Sequence, residues 1–373
     1  MKRVGILGAG QLGRMLALAG YPLELDFHLY EPSGKPSAGI GKIINDPAPT
    51  PDSPLLQQFM ADVDVVTYEF EHLPLDIVRQ IAHHKTLRPG IKSLEVCQHR
   101  ALEKGLFDKL GIPTPAYAIV QTEQALVDAV TRIGCPVVAK TTTEGYDGKG
   151  QVVIRDLAEC AQAWATLKGV ELIVEQFVRF ERELSIIAVR AEDDEIRIYP
   201  LAENVHHQGI LRYSTAPAPK VREETQTLAE DYIKSLLREL DHVGVLTLEL
   251  FETASGLLAN EMAPRVHNSG HWSIEGAPCS QFENHLRAVC GLPLGDVAAY
   301  RPTCMINIIA EKGDIHAFLR FPYVHLHLYG KEERAGRKLG HITIQADSHD
   351  ELVWRVRNVA ALLPGSPAFD SYR

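Results

Sequence analysis

The sequence predicts a mixed α/β and α+β protein that begins with a parallel, doubly wound sheet. Two observations lead to this prediction. Over the first hundred residues, short apolar runs alternate with amphipathic helical patterns in the rhythm of βαβ units. Beyond them, strands and helices follow one another without strict alternation, which is typical of an α+β arrangement. A boundary between two structural units is therefore expected near residue 100.

The N-terminal unit combines apolar runs that match strands with spaced apolar patterns that match helices. A longer helix is predicted over 93–110, because Gly111 ends its pattern and Pro113 and Pro115 follow. Strands are expected at 4–7, 27–30 and 63–68, and shorter helices at 12–18, 55–60 and 77–81.

The rest of the chain is predicted to contain helices and strands in mixed order, without an internal repeat. The helical patterns span 126–133, 225–240, 280–290 and 352–363. Strands are expected at 137–140, 152–154, 171–178, 184–190, 196–202, 244–251, 257–263, 305–310, 324–329 and 340–345.

Length and composition restrict the possible classes of protein. A chain of 373 residues with 45% hydrophobic and 23% charged residues is expected to form two to three globular domains. The net charge of −10 argues against broad contact with nucleic acid or an anionic membrane. No pair of its six cysteines has metal-site spacing, and the first apolar run is too short for a leader or a membrane span. We expect a cytoplasmic protein with reduced thiols.

A glycine motif follows the first predicted strand. Gly8, Gly10 and Gly13 open a helix, and Glu31 ends the next strand, as in dinucleotide-binding folds. Glycines let the backbone approach a phosphate, and a helix N-terminus favours its charge. The alternative is a tight turn that needs glycine for its geometry alone.

A second glycine-rich segment lies between two strands, at 141–151. Its glycines and Lys149 suit a mobile hairpin that folds over a polyphosphate, and Lys140 at the strand end supplies a further positive charge. A solvated hairpin is the alternative interpretation, since Asp-Gly turns are common.

Carboxylates follow or occupy three later strands. The segment 175–178 could present backbone groups to a purine, and Glu183 could bind ribose hydroxyls, although an exposed strand glutamate is often only solvated. Glu249 and the pair Asn260-Glu261 are the best metal candidates, since carboxylate oxygens on adjacent strands suit Mg²⁺. A five-residue turn would place Glu249 opposite Glu261, whereas a four-residue turn would place it opposite Asn260.

Two more segments are rich in hydrogen-bond donors and cations. The first, 263–271, could hold a small anion, or its Asn268 and Ser269 could cap the following helix. Zinc is not favoured at His267 and His271, because no third ligand is suitably placed. The second, the basic turn 329–341, is either a solvated face or a phosphate site.

Taken in this order, the motifs resemble those of the ATP-grasp superfamily over essentially the whole chain. Within it, they are most similar to the family of 5-(carboxyamino)imidazole ribonucleotide synthases. Three strings carry this specific resemblance: 145–151, 260–271 and 336–341.

The resemblance implies a Rossmann-like pre-ATP-grasp domain at 1–100, an ATP-grasp domain at 101–295 with a lid near 112–178, and a small C-terminal domain at 296–373. It further implies the cofactors ATP and Mg²⁺, with the metal on Glu249 and Glu261. The implied ATP-binding residues are Arg100, Lys140, Gly145, Tyr146, Asp147, Gly148, Lys149, Gly150, Gln151, Glu175, Gln176, Phe177, Val178, Glu183, His206, Asn260 and Glu261.

The resemblance also implies the reaction, in which bicarbonate and ATP give carboxyphosphate, and the amine of 5-aminoimidazole ribonucleotide captures the carboxyl group or the CO₂ derived from it. Relatives suggest a homodimer that binds small molecules only. Many ATP-grasp enzymes carry Asn where this chain has Ala263, which puts a third side-chain metal ligand in doubt. The implied catalytic residues are Arg265, His267, Asn268 and Lys331, and the implied substrate-binding residues are Gln11, Leu12, Glu69 or Glu71, Tyr146, Asp147, Ser269, Lys331, Arg337 and Lys338.

Two other functions compete with this hypothesis. A nicotinamide-dependent oxidoreductase would use the first glycine motif, but it leaves the segments 145–151 and 249–271 unexplained. Another ATP-grasp ligase would keep the nucleotide chemistry and change the acid and the amine.

Overall fold

The computed structural model describes residues 2–143 and 150–365. Its N-terminal part is a parallel sheet in the order β3-β2-β1-β4-β5, flanked by helices as the alternating pattern predicts. The strands are β1 Arg3–Leu7, β2 Asp26–Glu31, β3 Lys42–Asn45, β4 Val65–Tyr68 and β5 Thr86–Leu87, and the helices are α1 Gln11–Gly20, α2 Pro54–Asp62, α3 Leu75–His84 and α4 Ile91–Cys97.

The single helix predicted over 93–110 is wrong, because the structure breaks it after α4. His99 has an extended backbone, with φ −136° and ψ 107°, and the next helix, α5, spans Arg100–Lys109. The side-chain amide of Gln98 donates to the carbonyls of Glu71 and Leu73, at 2.7 and 2.8 Å. The backbone N–H of Arg100 donates to the Thr142 carbonyl at 2.8 Å. These long-range bonds explain the break, which local helical periodicity does not reveal.

A four-stranded antiparallel sheet follows, in the order β6-β9-β7-β8, with two helices packed on it. It covers the region predicted as the lid, and the sheet formed by β6 to β9 is called the lid sheet below. Its strands are β6 Tyr117–Val120, β7 Val137–Thr141, β8 Gln151–Ile154 and β9 Leu172–Gln176, and its helices are α6 Glu123–Ile133 and α7 Cys160–Thr166.

The largest sheet joins the centre of the chain to its C-terminal part. Its path runs β15-β14-β10-β12-β13-β16-β18-β17, and β11 pairs with β10. Its strands are β10 Arg182–Arg190, β11 Ile196–Ile198, β12 Ala202–His207, β13 Ile210–Ala216, β14 Gly244–Thr253, β15 Gly256–Ala263, β16 Thr303–Ile309, β17 Val324–Leu328 and β18 Lys338–Gln345, and its helices are α8 Glu223–Glu239, α9 Ser273–Gly276, α10 Gln281–Cys290, α11 Ile315–Leu319 and α12 His349–Ala360.

Strands β12 and β13 are absent from the sequence prediction. Their buried face is partly polar, because Ser214 donates to Asn204 Oδ1 at 2.6 Å inside the sheet. Apolar alternation is therefore weak, although both strands are buried in places. β13 pairs with β16, so the strands of the predicted C-terminal domain continue the central sheet. The predicted domain limits stay a prediction.

Two buried histidines join the N-terminal sheet to the centre of the molecule. His285 Nε2 on α10 lies 2.7 Å from Thr67 Oγ1 on β4, and its Nδ1 accepts from the Val245 N–H at 3.0 Å. His242 Nδ1 lies 2.9 Å from Ser93 Oγ on α4. Burial lowers the pKa of His242 to about 4 and that of His285 to about 3. Both histidines are therefore neutral at pH 7.

Mild acid is expected to destabilise the protein through these two histidines. Below pH 6.5 the unfolded chain binds protons at both side chains and the folded chain does not, so stability falls as pH drops towards 4. At pH 5 the loss is about 2 kcal/mol per histidine. Urea denaturation at pH 7 and pH 5 measures it. His285→Gln should remove part of this pH dependence, whereas the same change at the exposed His84 should leave it intact.

No helix of the described part of the chain is both long enough and apolar enough to cross a membrane.

Candidate active site

The two predicted metal-binding carboxylates lie on neighbouring strands, and a bulge brings them together. The β14–β15 hairpin turns over two residues, because Thr253 pairs with Gly256. Its register shifts between the pairs Leu250–Ala259 and Leu248–Met262. Glu249 therefore faces both Asn260 and Glu261. Neither predicted turn length is correct, and the bulge accommodates two residues of β15 opposite one of β14.

The two carboxylates differ in their charge environment. Burial alone would raise the pKa of Glu249, but the hydrogen bond that His267 donates holds it at about 2. Desolvation and the nearby Glu249 carboxylate raise the pKa of Glu261, although Lys140 and Arg100 oppose this shift. Two carboxylates that disfavour each other's ionisation form a site that a divalent cation would stabilise.

His267 has its proton position set by its neighbours. Ser185 Oγ donates to Ser269 Oγ at 2.8 Å, so the Ser269 hydroxyl can donate to His267 Nδ1 at 2.9 Å. With Nδ1 accepting, Nε2 carries the proton and points to Glu249 Oε1, 3.1 Å away. Hydrogen bonds with Gln281 hold the backbone of His267 on both sides.

Asn268 and Ser269 do not cap the following helix, which was the alternative interpretation of this segment. Ser280 caps α10, and its side chain accepts from the Glu283 N–H. The side-chain amides of Asn268 and Asn307 instead form two hydrogen bonds with each other, at 3.1 and 2.7 Å. The segment is thereby held between β10 and β16.

Arg265 forms a two-pronged ion pair with Glu71. Its Nε lies 2.5 Å from Glu71 Oε2, and its Nη2 lies 2.9 Å from Glu71 Oε1. Burial would raise the pKa of Glu71, but Arg265 holds it at about 2. The guanidinium is therefore fixed where the segment 263–271 meets the N-terminal sheet.

The first glycine motif binds a carboxylate of the protein itself. The N–H groups of Gly10 and Gly13 donate to Glu69, the latter at 2.6 Å. Glu31 accepts from the Ala9 N–H at 2.9 Å. A Cβ at Gly8 would lie 2.5 Å from Glu69 Cγ, so glycine is needed for this close approach. The amides of a dinucleotide phosphate site are thus occupied, which argues against the nicotinamide interpretation.

The basic turn reaches the same region from the C-terminal part. Lys331 donates to Gln11 Oε1, and its Nζ lies 6.0 Å from the centre of the Tyr329 ring. Burial and the charges of Arg337 and Lys338 lower the pKa of Lys331 to about 8, against the opposing effect of Glu69. Such a cluster of cations beside Gln11 is suited to a phosphate group.

The candidate nucleotide residues lie on the lid sheet and on β10 and β12. Glu175 pairs with Lys140, Nζ to Oε2 at 2.5 Å, and His206 Nδ1 lies 2.8 Å from Glu183 Oε2. Arg100 donates to the Thr141 carbonyl at 2.8 Å. The predicted residues Gly145, Tyr146, Asp147, Gly148 and Lys149 lie outside the described residues. Gln151 begins β8 and Gln176 ends β9, and Gly150, Phe177 and Val178 adjoin these strands.

Several site residues were missed by the sequence interpretation. Lys104 and Glu103 on α5 bond the hairpin, where Lys104 donates to the Asn260 carbonyl at 2.7 Å and Glu103 accepts from the Met262 N–H at 2.7 Å. Neither residue belongs to a motif. Only their helical spacing from Arg100, three residues for Glu103 and four for Lys104, could have suggested that they lie on the same helix face as Arg100. Ser185, Gln281 and Asn307 also carry no sequence signal.

Comparison with protein families divides the chain into three matched parts. Residues 1–98 match a ribonucleotide synthetase preATP-grasp domain, 105–282 match an ATP-grasp domain, and 303–355 match a phosphoribosylaminoimidazole carboxylase C-terminal domain. These assignments confirm the predicted fold class.

Similar whole proteins carry one name. The N5-carboxyaminoimidazole ribonucleotide synthase of Pseudomonas aeruginosa is 46% identical over 97% of this chain and 99% of its own length. The corresponding synthetase structure from Thermus thermophilus has a TM-score of 0.92 at 46% identity, covering 98% of this chain and 99% of that chain. An Aspergillus clavatus synthase, in complex with ADP and 5-aminoimidazole ribonucleotide, has a TM-score of 0.89 at 27% identity, covering 97% and 98%. The chain therefore belongs to the N5-carboxyaminoimidazole ribonucleotide synthase family of the ATP-grasp superfamily.

Proposed function

We propose that the cleft between the lid sheet, the β14–β15 hairpin and the basic turn carboxylates 5-aminoimidazole ribonucleotide with ATP and bicarbonate. As a member of this family, the chain is an ATP-dependent carbon–nitrogen ligase of purine biosynthesis. The observation that carries the assignment of residues is their proximity: His267 contacts Glu249, and the charges of Glu249 and Lys140 both act on Glu261.

ATP is proposed to bind on the lid side of this cleft. Lys140 and Arg100 supply positive charge to the phosphates, and Glu261 lies within range of both charges. The segment 175–178 at the end of β9 offers backbone groups to the adenine. The paired Glu183 and His206 are placed for the ribose. The segment 145–151 is proposed to close over the phosphates, and 145–149 lie outside the described residues.

Glu249 and Glu261 fit Mg²⁺ by their chemistry, since two hard oxygen ligands face each other across the bulge. Within residues 2–143 and 150–365, no cluster of three His, Cys, Asp or Glu side chains is suited to a metal. Phosphate oxygens and water would therefore complete the coordination, in agreement with Ala263 in place of Asn. When bound, the ion would neutralise phosphate charge.

Bicarbonate is proposed to lie near Arg265, His267, Asn268 and Ser269. A bicarbonate oxygen attacks the γ-phosphorus, and the bond from that phosphorus to the ADP oxygen breaks, which gives carboxyphosphate and ADP. Lys140 and Arg265 offset the charge that grows on the transferring phosphoryl group. The amine nitrogen then attacks the carboxyl carbon and inorganic phosphate leaves.

The ribonucleotide is proposed to bind at the basic turn, with its phosphate near Lys331, Arg337 and Lys338, and with Gln11 and Leu12 beside it. Glu69 lies beside Lys331, whereas Glu71 is held by Arg265, so the two carboxylates face different parts of the cleft. Tyr146 and Asp147 stay predicted contacts outside the described residues.

ADP release tests the reaction. Purified protein with Mg-ATP and bicarbonate should release ADP faster when 5-aminoimidazole ribonucleotide is added, together with the N-carboxylated product. ATP turnover that the ribonucleotide does not stimulate would instead favour an ATP-grasp ligase with another acid and amine. The predicted homodimer and cytoplasmic location are separate proposals, and light scattering of the purified protein tests the former.

Alkaline pH is expected to weaken ribonucleotide binding through Lys331. Because its pKa in the folded protein is about 8, its charge is present below pH 8 and is lost as the pH rises above it. kcat/KM for the ribonucleotide should therefore fall about fivefold between pH 8 and pH 9. Lys331→Arg should keep its charge and lose this dependence, and a profile unchanged in this variant would contradict the assignment.

A further inference from the structure

Lys104 is a buried cation to which the proposed mechanism gives no role. Its side chain is 1% exposed, and its Nζ lies 3.0 Å from Glu175 Oε1. The same Nζ donates to the Asn260 carbonyl at 2.7 Å. Lys104 therefore joins helix α5, the lid strand β9 and the residue beside Glu261. A lysine so deeply buried is rarely retained without a charged partner.

Glu175 holds a second lysine with its other oxygen. Glu175 on β9 pairs with Val138 on β7, so Lys140, two residues further along β7, projects from the same face. Its Nζ lies 2.5 Å from Glu175 Oε2. The Lys140 side chain is 16% exposed, whereas that of Glu175 is 5% exposed. Of the two lysines, only Lys140 is accessible to a ligand.

The charges of this cluster do not cancel. Two ammonium groups contact one carboxylate, so Lys104, Lys140 and Glu175 together carry one net positive charge. If Lys140 turns from Glu175 to a phosphate, the buried carboxylate loses one partner. Leaving a buried charge without a partner is costly. The contact with Lys104 persists through such an exchange, because Lys104 is bonded on its other side to the hairpin.

We propose that Lys104 is a positioning residue for nucleotide phosphates, which neutralises Glu175 so that Lys140 can exchange this carboxylate for a phosphate. Without Lys104, Glu175 would hold Lys140 as its single counter-charge, and the net positive charge would be lost. The inference rests on the proposed contact of Lys140 with ATP phosphates. It adds a residue that acts through Lys140 and touches no substrate itself.

Equilibrium binding of ADP, measured by calorimetry, tests this role without turnover. Lys104→Met is expected to raise the Kd for ADP about tenfold or more, whereas Lys104→Arg keeps the charge and should stay within about threefold of wild type. Removing the carboxylate as well, in Lys104→Met/Glu175→Gln, restores the net positive charge and should recover the affinity to within about threefold. The exposed Lys109→Met on the same helix is the matched control.

Three outcomes would overturn the proposal. The first is a double variant that binds ADP no better than Lys104→Met, the second is an equal loss in Lys104→Arg, and the third is unchanged ADP binding by Lys104→Met. If Lys104→Met does not fold, the double variant is compared with wild type instead, because it has no unpaired buried charge. ADP binding within about threefold of wild type then supports the proposal, and a loss of about tenfold or more overturns it. Lys140→Ala distinguishes failure of the proposed contact between Lys140 and the ATP phosphates from failure of the proposed role of Lys104. Normal ADP binding by Lys140→Ala refutes the proposed role of Lys140 itself, whereas loss there with unchanged binding by Lys104→Met refutes only the role of Lys104.

Discussion

Replacing Arg265 with methionine is expected to lower kcat for carboxylation about 10²- to 10³-fold, the range seen when one charge-stabilising group is removed from a transition state. The ion pair with Glu71 holds the guanidinium in one orientation. Its loss removes positive charge from the proposed bicarbonate site and leaves Glu71 buried without its partner. Steady-state ADP release with saturating ATP, bicarbonate and ribonucleotide measures the effect.

Stability must be separated from chemistry in this variant, because breaking a fully buried ion pair costs about 3–5 kcal/mol and this pair, with side chains 15% and 19% exposed, should cost part of that. The double variant Arg265→Met/Glu71→Gln removes both charges and should regain much of the lost thermal stability, while its kcat stays low. Arg79, whose side chain is 60% exposed in its pair with Glu95, is the matched control. Recovery of activity along with stability in the double variant would show that Arg265 has only a structural role.

Neutralising Glu261 is expected to lower ATP turnover by about 10²-fold or more and to raise the Mg²⁺ concentration that half-maximal activity requires. Glu261→Gln keeps the shape of the side chain and removes one of the two carboxylates that face each other across the bulge. Titration of ADP release against Mg²⁺ measures both effects, and Glu249→Gln should behave in the same direction.

Activity and stability should change in opposite directions in Glu261→Gln. The Glu249 carboxylate disfavours the charge on Glu261, whose side chain is exposed, so removing this charge relieves a like-charge repulsion in the metal-free protein. The melting temperature without Mg²⁺ is therefore expected to stay equal or rise. The same substitution at the exposed Glu224 on α8 is the control. A lower melting temperature together with a normal Mg²⁺ requirement would contradict the metal-site assignment.

Local patterns predicted most of the N-terminal sheet correctly. β1, β2 and β4 are buried along almost their whole length because both faces of a parallel sheet are covered, and the short, mostly apolar runs that this burial requires are visible in the sequence. The helix over 93–110 failed for the opposite reason. Its periodicity continues across residues 98–99, and the break there is produced by hydrogen bonds to residues far away in the chain.

The metal-site hairpin shows the same limit in more detail. The sequence identified Glu249, Asn260 and Glu261 as candidate ligands, but turn length alone did not decide whether Asn260 or Glu261 lies opposite Glu249. The bulge decided it, and a bulge depends on how the whole strand packs against its neighbours. The glycine motif is a second case, because its spacing matched a phosphate loop and the partner of its amides is Glu69, a residue of another strand.

By itself, the sequence determined the α/β and α+β class, the family, and the order of the segments that carry chemistry, because these depend on residue types and short spacings. The tertiary structure alone decided which charges meet. It paired Arg265 with Glu71, His267 with Glu249, and Glu175 with both Lys104 and Lys140. These contacts join residues far apart in the chain, and the electrostatics of the cleft depends on them because Coulomb energies vary with distance and burial, which short sequence patterns do not encode.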